Sequence, residues 1–253
     1  MKIAIAGATG IVGTHVHRIA RERGHEVVPL SRSTGHDLEH AAGTGSALAD
    51  ALTGVDTIID VSGIQTLSRH RSIRFFESVS EALQTAGVAA GVRHLVALSI
   101  VGIDGVDASY YGGKLAQERA VQRGALPHTL LRATQFHEFA EQTMARGSLG
   151  PITLVPAARV RPIAARDVAD RLVTLAEGEP LGRARDLSGP RDERLLDMIR
   201  RVIRARGIRR PTFEVRLPGL FGHAMESGHL RGTPDADRAT LTFADWLDSD
   251  DAR

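Results

Sequence analysis

The chain has 253 residues, 42% hydrophobic and 25% charged, with a net charge of +2 and a sequence pI of about 9.5. That is enough for one substantial core, and with no cysteine the chain has no disulfides, thiolate zinc sites or thiol nucleophiles. So small a basic excess, with only 4% aromatic residues, argues against a nucleic-acid partner, and no run of about eighteen apolar residues suggests a membrane span.

The chain opens on MKIAIAG, whose apolar run is too short for the core of a signal peptide and has the character of a strand. A soluble, cytoplasmic protein is expected. Further β-rich runs follow at 25–31, 56–62, 93–101 and 128–133. Helix-length amphipathic stretches lie between and after them at 11–23, 46–52, 75–91, 114–124 and 135–147. Apolar strands alternating with crossover helices predict an α/β fold, a doubly wound parallel sheet of the Rossmann type. Beyond about residue 150 the rhythm loosens, with helices expected within 161–178 and 192–207 and a Gly/Pro-interrupted stretch at 211–232. This part is too small to stand alone. It is expected to pack on a single contiguous domain as a small C-terminal substrate lid, centred on 217–232.

Directly after the first strand comes GATGIVG, with Gly7, Gly10 and Gly13 in a G-x-x-G-x-x-G pattern that opens a helix. In that context the loop reads as a dinucleotide site: Gly7 for the turn, Gly10 for close approach to pyrophosphate, Gly13 for helix–strand packing. Thr9, Ile11 and Val12 complete the loop at the helix N-terminus, which favours phosphate. The second strand ends in Ser31-Arg32-Ser33, where an NAD enzyme of this architecture usually carries a carboxylate for the ribose hydroxyl. A guanidinium flanked by two hydroxyls suits a 2′-phosphate, so NADP(H) is expected over NAD(H). Asp37 and Leu38 are placed to border the adenine, and Val61, Ser62 and Gly63 to pass beneath the cofactor.

The fourth strand ends at Ser99, on the sheet edge where α/β proteins bind ligands. Then comes YYGGK, 110–114, which contains the only two tyrosines and one of only two lysines, the other being Lys2. Tyr110 and Lys114 are four apart and share a helical face. A tyrosine serves as general acid near neutral pH only if its pKa, about 10, is lowered, and a neighbouring ammonium does this. Lysine also offers compact donors to ribose hydroxyls where a planar guanidinium fits badly.

On these residues the sequence resembles the short-chain dehydrogenase/reductase superfamily, specifically its atypical NmrA-like branch. The resemblance rests on GATGIVG (7–13), SRS (31–33), LSIVGID (98–104), YYGGKLAQE (110–118), LLRATQFHEF (130–139) and ARDVAD (165–170). It implies that Ser99 polarises a substrate carbonyl, Tyr110 donates the proton and Lys114 holds the nicotinamide ribose. It also implies that Ala133, Thr134, Gln135 and Phe136 border the nicotinamide. Helices beside strands four and five often pair in this superfamily, which raises a homodimer.

Three other features carry less. HEFAE (137–141) begins like a zinc-protease helix but has no second histidine, so no metal site is expected and His137 reads as a pocket or surface residue. The basic run RHRSIR (69–74) reads as a solvated helix start. Phe136, Phe139, Phe213 and Phe221 each read as core sooner than pocket lining. The expected protein is an NADP(H)-dependent oxidoreductase that moves hydride between nicotinamide and a small carbonyl, enone or quinone-like substrate. A non-catalytic NAD(P)-sensing protein and an isomerase or epimerase using bound cofactor stay open beside it.

Overall fold

Strand-forming runs, buried on both faces except at the edge strand β2, make the central sheet: β1 (Lys2–Ala6), β2 (Glu26–Leu30), β3 (Thr57–Asp60), β4 (His94–Ile100) and β5 (His128–Ala133). The computed structural model describes residues 1–41 and 45–252. The strand order is β2-β1-β3-β4-β5, and the pairs β1–β2, β1–β3 and β3–β4 are parallel. Between the strands run α1 (Ile11–Glu22), α2 (Gly45–Ala51), α3 (Arg69–Ala90) and α4 (Ser109–Arg123). The result is the expected Rossmann-like α/β fold.

The period of two along each strand sorts the core into two layers. Ala4, Ala6, Ile58, Leu95 and Ala97 pack with Leu48 of α2, Leu52 just beyond it, Val79 and Leu83 of α3 and Val121 of α4. The alternate positions Ile3, Ile5, Ile59 and Val96 are equally buried. Toward the end of α1, Arg23 bridges Asp170 and Glu177 of the helix Ala165–Glu177.

Two helices begin earlier than their apolar periodicity suggests. α3 takes in the basic run, because the Ser68 hydroxyl accepts the Arg71 N–H and caps the helix there. The arginines of the run are engaged: Arg69 with Asp107, Arg71 with Glu39 at 2.9 Å, and Arg74 with His70. α4 starts at Ser109, so Tyr-Tyr-Gly-Gly forms its first turn despite poor intrinsic propensity.

By its contacts the chain divides into two compact units. The first comprises Met1–Ser99, Asp107–Arg132 and Arg166–Ala184, and holds the sheet just described. The second comprises Ile100–Val106, Ala133–Ala165 and Arg185–Arg253. In the second, Thr212–Val215 pairs parallel with Ile152–Pro156, which pairs antiparallel with Ser148–Leu149. The helix expected over 135–147 shortens to Phe139–Arg146. Its missing first turn is held extended, since Ile163 N–H donates to Gln135 O and His137 N–H to Ile163 O.

The aromatic expectations need correction. Phe213 is 53% exposed, and Phe136, Phe139 and Phe221 are only half-buried, so none of the four is core. The aromatic core of this unit is Phe243 and Trp246, with His137 packed beside both rings. His137 is fully buried and not a surface residue. In the same unit the helix Gly219–Ser227 leads into a turn at His229–Arg231. Gly102 sits against that turn with φ 73°, and a Cβ on it would lie 2.3 Å from His229 O. No other residue type fits there.

Candidate functional site

The direction of strand succession reverses between β1 and β3, and an open parallel sheet leaves a crevice at its carboxyl edge at such a point. Gly7–Val12 follows β1 and Val61–Gly63 follows β3. Gly7 has φ 85°, and a Cβ added to it would lie 2.9 Å from the Ser62 backbone; one added to Gly13 would lie 2.1 Å from Gly7 O. These two glycines are required by the protein's packing on itself. Gly10 differs, because its added Cβ would meet only Gly7 O, at 3.3 Å. It is exposed, as are Thr9 and Ile11, while Val12 turns inward. No side chain caps α1 at Gly10, so its first-turn N–H groups have no capping partner.

After β2, the chain forms a tight turn, Arg32–Thr34, closed by Gly35 with φ 85°. Ser31 is buried, its Oγ 2.9 Å from that of Ser33. Arg32 is exposed and forms no ion pair among the described residues. Asp37 is exposed, and the hydrogen bond from His40 holds its carboxyl below the usual range. Leu38 is buried in the core.

The second glycine of YYGGK lets α3 approach. A Cβ on Gly113 would lie 2.0 Å from Ser72 Oγ and 2.7 Å from a ring carbon of Phe76. The close approach lets Ser72 Oγ donate to the Tyr110 carbonyl, 3.0 Å away, and puts the buried Phe76 ring between the two predicted catalytic side chains. Tyr110 meets that ring edge-on at 5.5 Å, and Lys114 Nζ lies 4.5 Å from its centre. The Tyr110 hydroxyl lies over Gly63, 3.4 Å from where a Cβ would stand. Its neighbour Tyr111 is buried instead. Just ahead of them, Ser109 has φ 48° and is the one non-glycine with positive φ among the described residues. Strain of this kind costs about 1–3 kcal/mol and collects at functional sites.

Lys114 is only 4% exposed. Its ammonium donates to Leu98 O at 2.6 Å. Burial pushes its pKa down to about 8, against the opposing pull of Asp60 and Glu118. Leu98 immediately precedes Ser99, whose hydroxyl is buried without a hydrogen-bond partner, as is that of Ser62.

Sequence reasoning passed over the polar residues under this site. Asp60 ends β3 fully buried, accepting from Ser62 N–H at 2.9 Å and from Gln117 Nε2 at 2.7 Å. Both oxygens of Glu118 accept from Arg132, through Nε and Nη2, in a buried fork at 2.7 Å. A carboxylate closing the apolar strand TIID, and an arginine inside HTLLRA, are the sequence features that mark them. The remaining predicted residues, Ala133–Phe136, belong to the second unit. There Thr134 Oγ1 donates to Arg161 O at 2.6 Å, and Phe136 bridges to Ile163. Both polar atoms of the Gln135 carboxamide are buried without partners.

A glycine loop at the switch point of a parallel sheet is the architecture of Rossmann-like dinucleotide-binding proteins. The chain belongs to the NAD(P)H-binding family, whose pattern matches residues 7–179. Among curated relatives, a (4-alkanoyl-5-oxo-2,5-dihydrofuran-3-yl)methyl phosphate reductase of Streptomyces griseus is 32% identical over 146 residues. That match covers 53% of this chain and 48% of the reductase, so it spans less than half of the relative's length. Among solved structures, a nucleoside-diphosphate-sugar epimerase from Staphylococcus aureus superposes with a TM-score of 0.68 at 18% identity, over 98% of this chain and 100% of its own. An NADPH-dependent quinone oxidoreductase from Escherichia coli gives 0.65 at 16% identity, over 97% and 98%. Both share the fold. The residues present suit a dinucleotide: the open approach at Gly10, the uncapped start of α1 and the unpartnered hydroxyls of Ser62 and Ser99 are all in the first unit.

Proposed function

We propose that the protein is an NADP(H)-dependent oxidoreductase acting on a small carbonyl, enone or quinone-like substrate. Bound NADPH would supply hydride from its nicotinamide ring. The protein's own part is proton management and positioning. Tyr110 is the general acid, Lys114 favours its ionisation and offers its remaining N–H groups to the ribose, and Ser99 polarises the substrate oxygen. Gly7, Gly10 and the start of α1 take the pyrophosphate, Arg32 with Ser31 and Ser33 the 2′-phosphate, and Ala133–Phe136 border the nicotinamide. Residues 217–232 act as the substrate cover. The reading is carried above all by the Tyr110 hydroxyl resting on Gly63, at the end of β3, while Lys114 shares the Phe76 ring with it. The names of the Streptomyces reductase and the quinone oxidoreductase fit the same substrate class.

The test is turnover of a panel of carbonyls, enones and quinones with NADPH. Tyr110→Phe is expected to bind NADPH like wild type but turn over about 10²–10⁴-fold more slowly, with Tyr111→Phe as control. Full activity in Tyr110→Phe refutes the proton-donor role. NADPH binding without turnover of any substrate points to a sensor, and product interconversion without NADPH loss to an epimerase. Shortening 217–232 is expected to change kcat or KM while leaving NADPH affinity, measured by fluorescence, within a few-fold.

A further inference from the structure

Lys114 is buried against groups from four elements, with a fifth reached through Glu118. α3 presents the Phe76 ring, which Tyr110 meets on its edge, β4 the Leu98 carbonyl, β3 the Asp60 carboxylate, and α4 itself Glu118. From β5 comes Arg132, which holds both oxygens of Glu118. Glu118 is therefore committed to another cation. Asp60 is not: its two oxygens take the neutral donors Ser62 N–H and Gln117 Nε2. Gln117 lies one helical turn beyond Lys114, on the adjoining face. One buried carboxylate thus ties the 61–63 loop, against which Tyr110 rests, to the helix that carries Tyr110 and Lys114.

We propose that Asp60 is a positioning residue for Lys114: clamped by Ser62 and Gln117, its carboxylate keeps the buried ammonium protonated and fixes the loop beneath it. This rests on the reading that Lys114 serves the cofactor in its charged form. Burial alone disfavours an ammonium, and a nearby unshared negative charge opposes that. Lys114's depressed pKa of about 8, with Asp60 as the first opposing influence, is consistent with the balance.

The test uses the full-length protein and needs no substrate. Because Lys2 and Lys114 are the only lysines, ¹³Cε-lysine labelling gives two titrating resonances, and Lys2→Arg assigns them. Asp60→Asn keeps the shape, and Gln117, whose Oε1 is unpartnered, can turn over to accept from the new amide. The Lys114 midpoint is expected to move down by about one to three pH units, and the alkaline limb of NADPH affinity to move with it. Asp60→Ser, which still accepts from Ser62 N–H, should give the same direction and serves if Asp60→Asn fails to fold. A folded variant whose Lys114 midpoint stays put overturns the proposal, as does one whose NADPH affinity falls equally at every pH. A Tyr110→Phe enzyme with full turnover would refute the proton-donor role and leave the titration result standing.

Discussion

At the scale of single residues, the proposed preference for NADP(H) rests on Arg32. Most arginines near the sheet are spent on carboxylates: Arg23 on Asp170 and Glu177, Arg71 on Glu39, Arg132 on Glu118. Arg32 forms no such pair among the described residues, and the hydroxyls of Ser31 and Ser33 lie beside it in the chain. Arg32→Ala is expected to weaken NADPH binding by about 1.5–3 kcal/mol, the range for a charge-assisted contact, and to leave NADH nearly unchanged. Fluorescence titration of both cofactors checks this; equal loss for both would place Arg32 elsewhere. The sequence showed this residue plainly because a strand end after a glycine loop is a fixed landmark. It hid Asp60, because a carboxylate that ends a buried strand resembles any other turn residue until its partners are seen.

At the scale of elements, the site depends on how closely α3 and α4 approach. Gly113→Ala introduces a methyl where Ser72 Oγ and Phe76 already stand, so the helices must separate. Overpacking of this kind costs about 1–3 kcal/mol. It should also displace the ring shared by Tyr110 and Lys114, so turnover is expected to fall further than the loss of stability in a urea titration explains. Unchanged activity in a folded Gly113→Ala would show that the ring does not position the pair. The strands were legible because residues buried on both faces give unbroken apolar runs. The starts of α3 and α4 were legible only from the basic run at 69–74 and the Tyr110–Lys114 spacing, because basic and glycine-rich turns carry no apolar period. Their helicity comes from a cap at Ser68 and from tertiary packing at Gly113. The stretch 135–136, extended in the structure, was read as helix for a related reason, since the bonds that tie it to Ile163 are distant in sequence.

At the scale of the whole molecule, burying Lys114 has a cost that pH reveals. Its pKa is about 8 in the folded chain against an ordinary 10.5. The folded state therefore sheds the proton first as pH rises, and the unfolded state holds more protons between those values. Stability should rise across pH 8 to 10.5, and below pH 8 the full penalty, on the order of 3 kcal/mol, is present. Lys114→Met removes it, less what the Leu98 bond and the Phe76 contact contribute. The cofactor-free variant is expected to be at least as stable as wild type at pH 7 and to lack the wild-type rise above pH 8, while binding NADPH poorly. Urea midpoints against pH for the two proteins check this. A parallel rise in both would assign the slope to other groups.

The glycine loop has a bearing on how this chain could change over generations. Gly7 and Gly13 answer to Ser62 and to the loop's own backbone, so selection for folding alone retains them. Gly10 answers to almost nothing inside the protein. A lineage that abandoned its dinucleotide would keep the first and third glycines as a fossil of the fold, and would accumulate larger side chains at the second. The middle glycine is thus the position whose loss would date the end of cofactor use.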